Sequence, residues 1–127
     1  MNEQHQQLIR LVEETAGESF RTAFAYEPAD WEALYVRSDL ATPDLQSAVP
    51  ALVTRTRSRE PLVREEDYPS LGSQRAAVSL HEEAVLIHFF EGDESGVVIT
   101  LDTDVAGNLS QFVAACETVL SESQRRQ

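Results

Sequence analysis

Hydrophobic and polar residues alternate most clearly between Arg75 and Asp102, RAAVSLHEEAVLIHFFEGDESGVVITLD. The apolar stretches there are separated by short polar breaks, which predicts three consecutive antiparallel strands. Val78 and Leu80 alternate in the first, and Glu82-Glu83 marks a tight turn. From Ala84 to Phe90 there is no polar face. Val85, Ile87 and Phe89 fall on one side; Ala84, Leu86 and Phe90 fall on the other, with His88. A strand apolar on both sides is expected at the centre of its sheet. The loop EGDESG then turns the chain into Val97, Ile99 and Leu101, with Val98 on the opposite side.

Upstream the period changes. Leu8, Leu11, Val12 and Thr15 recur at helical spacing through residues 3–16, with Gly17 placed to end the helix. Over residues 18–28, Phe20, Thr22, Phe24 and Tyr26 alternate with Arg21, Ala23, Ala25 and Glu27, which predicts a half-buried strand stopped by Pro28. Trp31 to Leu40 fits a helix or a strand. The Ala29-Asp30 turn before it and the Tyr35-Val36 pair favour a hairpin partner for the preceding strand. Thr42-Pro43-Asp44 has the chemistry of a helix start: a hydroxyl cap, proline at the first position and an early acid. Leu45, Val49, Leu52, Val53 and Thr56 continue that helix, and Pro50 is expected to kink or break it. Between Arg57 and Gln74 periodicity vanishes in a long connection carrying Pro61, Pro69 and Gly72. Asp102 to Asp104 then caps a third helix with the stripe Val105, Leu109, Phe112, Val113, Cys116 and Leu120.

These elements predict one α+β domain over residues 1–122 and a polar tail at 123–127. The sheet has five antiparallel strands, a two-stranded hairpin plus a three-stranded meander, packed with three helices in the order α-β-β-α-β-β-β-α. That order is similar to roadblock, longin-like and profilin-like domains.

Charge narrows the setting. Twenty-two acidic residues face ten basic ones, all arginine, for a formal net charge of −12. At molar salt the Debye length falls to about 3 Å and screens such self-repulsion. A lysine-free acidic chain therefore fits the cytoplasm of a salt-in halophile. The polar start MNEQHQQ carries no secretory signal pattern, and no apolar run approaches a membrane span, so a cytoplasmic location is expected. A single cysteine, Cys116, excludes an internal disulfide framework.

The runs Tyr26 to Leu40 (YEPADWEALYVRSDL), Ala84 to Phe90 (AVLIHFF) and Gly96 to Asp102 (GVVITLD) resemble a family of small haloarchaeal proteins of unknown function. The likeness covers the chain from the first helix to Leu120. It implies no activity, cofactor or site residue.

Candidate chemistry is sparse. His81 and His88 flank Glu82 and Glu83, but two histidines at a turn and in a strand do not converge as metal ligands must. His88, between Leu86 and Phe90, fits a hydrogen-bonded core or interface histidine, and His5 fits a solvated helix turn. Glu91, Asp93 and Glu94 lack the spacing of a calcium loop. Arg55, Arg57, Arg59 and Arg64 form the one basic concentration, a candidate phosphate-contact cluster. Salt weakens phosphate contacts steeply, so pairing with Glu60, Glu65, Glu66 and Asp67 is the stronger expectation, and nucleic acid is not an expected partner. Cys116 fits a buried hydrophobe rather than a nucleophile. No serine sits in a nucleophile elbow, and phosphate-binding glycine loops are absent. No catalytic, cofactor or metal residue is assigned, and no enzyme is expected.

What remains is recognition. The leading expectation is an interaction domain, adaptor or homodimer, because helices confined to one face would leave the other to a partner. Tyr35, Arg37, Asp39, Leu86, His88 and Phe90 are its candidate surface. The second expectation is a small-ligand or signal-sensing module with a pocket between sheet and helices near Trp31, Tyr35 and Phe112. A nucleic-acid role through the arginines is the third.

Overall fold

Asn2 begins the first helix, α1 (Glu3–Ala16), by accepting a bond from the His5 N–H at 2.7 Å, which satisfies one of the donors a helix start leaves open. Gly17 ends it at φ 56°, where the absence of a Cβ removes the steric penalty. The computed structural model describes residues 2–58, 63–64, 66–108 and 117–119. Ile9 and Val12 are the buried residues of α1, with Leu8 and Ala16 packed beside them. Leu11 and Thr15, expected on this stripe, point to solvent, because the sheet lies along the line through Ile9, Val12 and Ala16.

The hairpin β1 (Phe20–Tyr26) and β2 (Trp31–Val36) follows, so the ambiguous stretch is a strand. Next come α2 (Pro43–Ser58) and then the meander β3 (Ala76–Leu80), β4 (Ala84–Gly92) and β5 (Ser95–Asp102). Thr103–Ala106 form a 3-10 turn, and residues 107–108 and 117–119 are helical. The fold is α+β with the order α-β-β-α-β-β-β-α. Most of the predicted third stripe, Leu109, Phe112, Val113, Cys116 and Leu120, lies outside the described residues, as does the tail at 123–127.

All pairings are antiparallel, in the order β2-β1-β5-β4-β3. The centre is therefore β5 and not Ala84–Phe90, which lies one place outward with β3 beyond it. Pairing of β1 with β5 joins hairpin to meander, with Ala23 opposite Ile99 and Phe24 opposite Val98. β1 is correspondingly buried on both faces rather than one. Alternation along β5 sends Val97, Ile99 and Leu101 to α1, together with Phe20, Ala23 and Ala25. Val98 points the other way, with Phe24 and Tyr26, into a second cluster under Val53 of α2. Each face thus carries its own helix. The expectation that the helices leave one face to a partner loses its premise.

Pro50 does not break α2, which runs unbroken from Pro43 to Ser58. The bond proline forfeits would join its nitrogen to the Gln46 carbonyl. Both residues face solvent, so water can take that place. The Thr42 hydroxyl accepts from the Leu45 N–H at 3.3 Å, as the sequence predicts for the cap. The loop EGDESG shrinks to a two-residue turn at Asp93-Glu94, with Glu94 at φ 57°.

Candidate functional site

Helix α2 is held at its C-terminal half. Val53 there is 1% exposed against the sheet, and Thr56 is buried with its hydroxyl donating to the Leu52 carbonyl at 2.7 Å. Arg57 reaches across to the β1–β2 turn, donating from Nε to the Glu27 carbonyl at 2.8 Å and from Nη2 to the Asp30 carbonyl at 2.6 Å. These bonds satisfy turn carbonyls and pin the end of the helix.

The N-terminal half is different. Leu45, Val49 and Leu52 are only half-buried, and between them and the sheet lies a cavity of about 270 Å³. Phe24, Thr22 and Thr100 line its sheet side, and Trp31 and Ala33 stand where it meets the β2 edge. The hollow is open to solvent at the β2 edge, where Trp31 and Ala33 are exposed. Ala33, opposite Phe24, is too small to cover it, and α2 docks through Val53 instead. On its sheet side the hydroxyls of Thr22 and Thr100, opposite each other in the β1–β5 register, bond at 2.6 Å.

An ion network lies beside the cavity, to which Arg21 and Asp39 contribute lining. Asp102 accepts from Arg37 at 2.8 Å and from Arg21 at 3.1 Å. Arg37 also grips Asp39 through Nε at 2.6 Å and Nη2 at 3.1 Å, and reaches the Glu18 carbonyl at 2.9 Å. The Arg37 guanidinium, then that of Arg21, holds the Asp102 carboxyl below the usual carboxylate range. Asp39 is lowered by its bond from Arg37. The bonds to Asp39 first, then Asp102, strengthen the Arg37 charge. Two cations and two anions leave this network neutral.

Under the C-terminal half of α2, Tyr26 Oη and His88 Nε2 form a buried hydrogen bond of 2.5 Å. His88 is 1% exposed, and its ring lies 4.2 Å from that of Phe90. Burial pushes the Tyr26 phenol up, Glu91 adds to this, and Arg57 opposes it. Gly96 makes room for the tyrosine: a Cβ there would press on the Phe89 carbonyl and lie 2.9 Å from Tyr26 Oη. On the far side of Tyr26 opens an acidic cleft of about 480 Å³, bordered by Glu27, Asp30, Glu32 and Glu91. His5 is not simply solvated. Its Nε2 lies 3.0 Å from Glu91 Oε1, which links α1 to the end of β4.

The residues expected to form one surface are separated. Tyr35 stacks on Phe20 at 4.1 Å among the residues that pack with α1. Arg37 and Asp39 pair with each other. Leu86, His88 and Phe90 point to the α2 side, His88 wholly covered and its two neighbours half-buried. The arginine cluster disperses too. Arg57 is bound to the turn, Arg64 lies 3.9 Å from Glu66, Arg55 borders a separate hollow beside His81, and Arg59 is outside the described residues. Of the pocket residues expected near the sheet, Trp31 and Tyr35 do line the cavity, while Phe112 is outside the described residues. Thr22 and Thr100 were not singled out, because their meeting depends on a strand register that periodicity does not encode. Among the described residues no group of three or more histidine, cysteine or acidic side chains could hold a metal ion. No helix among them is long and apolar enough to cross a membrane.

No curated protein and no solved structure matches the chain. The family model of a domain of unknown function, DUF7522, matches residues 6–121, and with nearly the whole fold inside that match the chain belongs to this family.

Proposed function

We propose that this domain is a non-enzymatic module that binds a small apolar molecule between its sheet and α2. The observation that carries this is the cavity of about 270 Å³, walled mainly by aliphatic and aromatic side chains, with the Thr22–Thr100 hydroxyl pair on its sheet side and Thr42 at the start of α2. Apolar pockets with few placed polar groups are the usual form of small-molecule sites. Nothing among the described lining residues pairs a nucleophile with a base, which favours holding a ligand over converting it. The lysine-free acidic composition supports a salt-rich cytoplasm as its place of work.

The test is a thermal-shift screen of small aromatic and aliphatic molecules at molar KCl, run on the wild type and on Val49→Trp, which fills the cavity from α2. Ligands that raise the wild-type melting temperature and leave the variant unmoved support the proposal. Equal shifts in both proteins, or none in the wild type, overturn it.

A second reading, pairing of two copies along β3, is favoured by that strand's position at the sheet border. Val78 there is 50% exposed, and Tyr68 and Leu71 just before it are also exposed. Exposed edge strands are templates for further pairing. Sedimentation of the wild type against Val78→Lys decides it: a wild-type dimer that the lysine dissociates supports pairing, and a wild-type monomer rejects it.

A further inference from the structure

Three features of the cavity constrain its occupant. The first is volume. An apolar cavity of about 150 Å³ takes benzene, so one of about 270 Å³ has room for two fused rings by the same proportion. Phe24 and Trp31 on its wall add ring surfaces against which an aromatic ligand stacks.

The second feature is charge. Arg21 and Asp39 are the charged residues of the lining. Both are engaged in the neutral network with Arg37 and Asp102. Arg21 and Asp39 are already balanced by Asp102 and Arg37, so a charged ligand gains little net attraction from this neutral network. It also gives up its own hydration to enter the apolar part of the site, which favours a neutral molecule.

The third is the threonine pair. Two hydroxyls supply two O–H donors, and the bond between Thr22 and Thr100 uses one. The other O–H and the remaining lone pairs can meet one polar group on a ligand that lies against the sheet.

We infer that the ligand is a neutral aromatic molecule of two-ring size bearing one hydroxyl, bonded to the Thr22–Thr100 pair; this rests on the ligand-binding proposal above. The probes are 2-naphthol, naphthalene and 2-naphthoate, titrated by calorimetry into the wild type and into the double variant Thr22→Val, Thr100→Val. Replacing both partners of a hydrogen bond with groups of the same shape is close to neutral for folding, and an unchanged circular dichroism spectrum and melting temperature confirm it. The expected result is 2-naphthol binding the wild type about five- to tenfold more tightly than naphthalene, the worth of one hydrogen bond. In the double variant that preference disappears while naphthalene affinity is retained, and 2-naphthoate is the weakest ligand of the wild type.

Equal affinity for naphthol and naphthalene, a preference that survives in the double variant, or tightest binding by naphthoate overturns the assignment. If none of the three binds but other molecules still shift the wild type and not Val49→Trp, the ligand class falls and ligand binding stands. If nothing binds in either experiment, both fall.

Discussion

Truncating two residues of α2 separates a docked half-helix from one that spans a cavity. Val53→Ala removes two carbons from a side chain 1% exposed. At about 0.8 kcal/mol per buried carbon the lost transfer energy is about 1.6 kcal/mol. The hole left, on the order of 50 Å³, adds about 1.2 kcal/mol, and alanine's better helix propensity returns about 0.5 kcal/mol. A net loss of about 2 kcal/mol follows. Leu45→Ala removes three carbons, and a fully packed leucine would lose about 2–5 kcal/mol. Leu45, however, is half-buried and already borders empty space, so its contacts are few. Its expected cost is under about 1 kcal/mol. The smaller truncation is therefore the costlier one. Urea unfolding of both variants and the wild type in one buffer, with shared m-values, measures the two losses. If Leu45→Ala costs as much as Val53→Ala, α2 is packed evenly along its length and the cavity beneath its first half does not exist in solution.

Three further expectations concern the polar contacts. Asp102 is held below its unfolded value, about 3.9 for a free aspartate, by Arg37 and Arg21. Its contribution is therefore present above that value and lost as pH falls through the folded one; melting curves from pH 7 downward should show a shallower acid loss in Asp102→Asn than in the wild type. The Tyr26 phenol is raised by burial, so its contribution is complete below about pH 10 and lost as pH rises through the folded value. Tyr26→Phe should flatten that alkaline limb, and an unchanged limb would refute the shift. Arg57→Ala abolishes the two bonds to the β1–β2 turn and should cost about 1–2 kcal/mol in urea unfolding, with faster hydrogen exchange in the last turns of α2 than in β5.

Local chemistry made much of the architecture legible. Period-two alternation located the strands, Gly17 and Thr42-Pro43 marked helix boundaries, and the order of elements emerged with its antiparallel class. Each of these signals acts within a few residues, which is why sequence order carries it. The central strand was misplaced for a related reason. Hydrophobicity ranks Ala84–Phe90 highest, but position in a sheet depends on which strands pair, and the long-range pairing of β1 with β5 puts β5 in the middle.

The candidate site was legible only in part. Trp31 and Tyr35 pointed to a pocket between sheet and helix, and the stripe Leu45–Val49–Leu52 identified the face of α2 that closes it. The sequence by itself determined the strands, the helices and the charge, because local sterics, hydrophobic period and ionisable side chains are properties of short stretches. Only the tertiary structure decided that α1 and α2 lie on opposite faces, that His88 meets Tyr26, and that Thr22 meets Thr100 under a half-docked helix. Those outcomes depend on register and on how far a helix can settle before its largest contacts touch, and both are set by residues far apart in the chain, as Thr22 and Thr100 are at 78 positions.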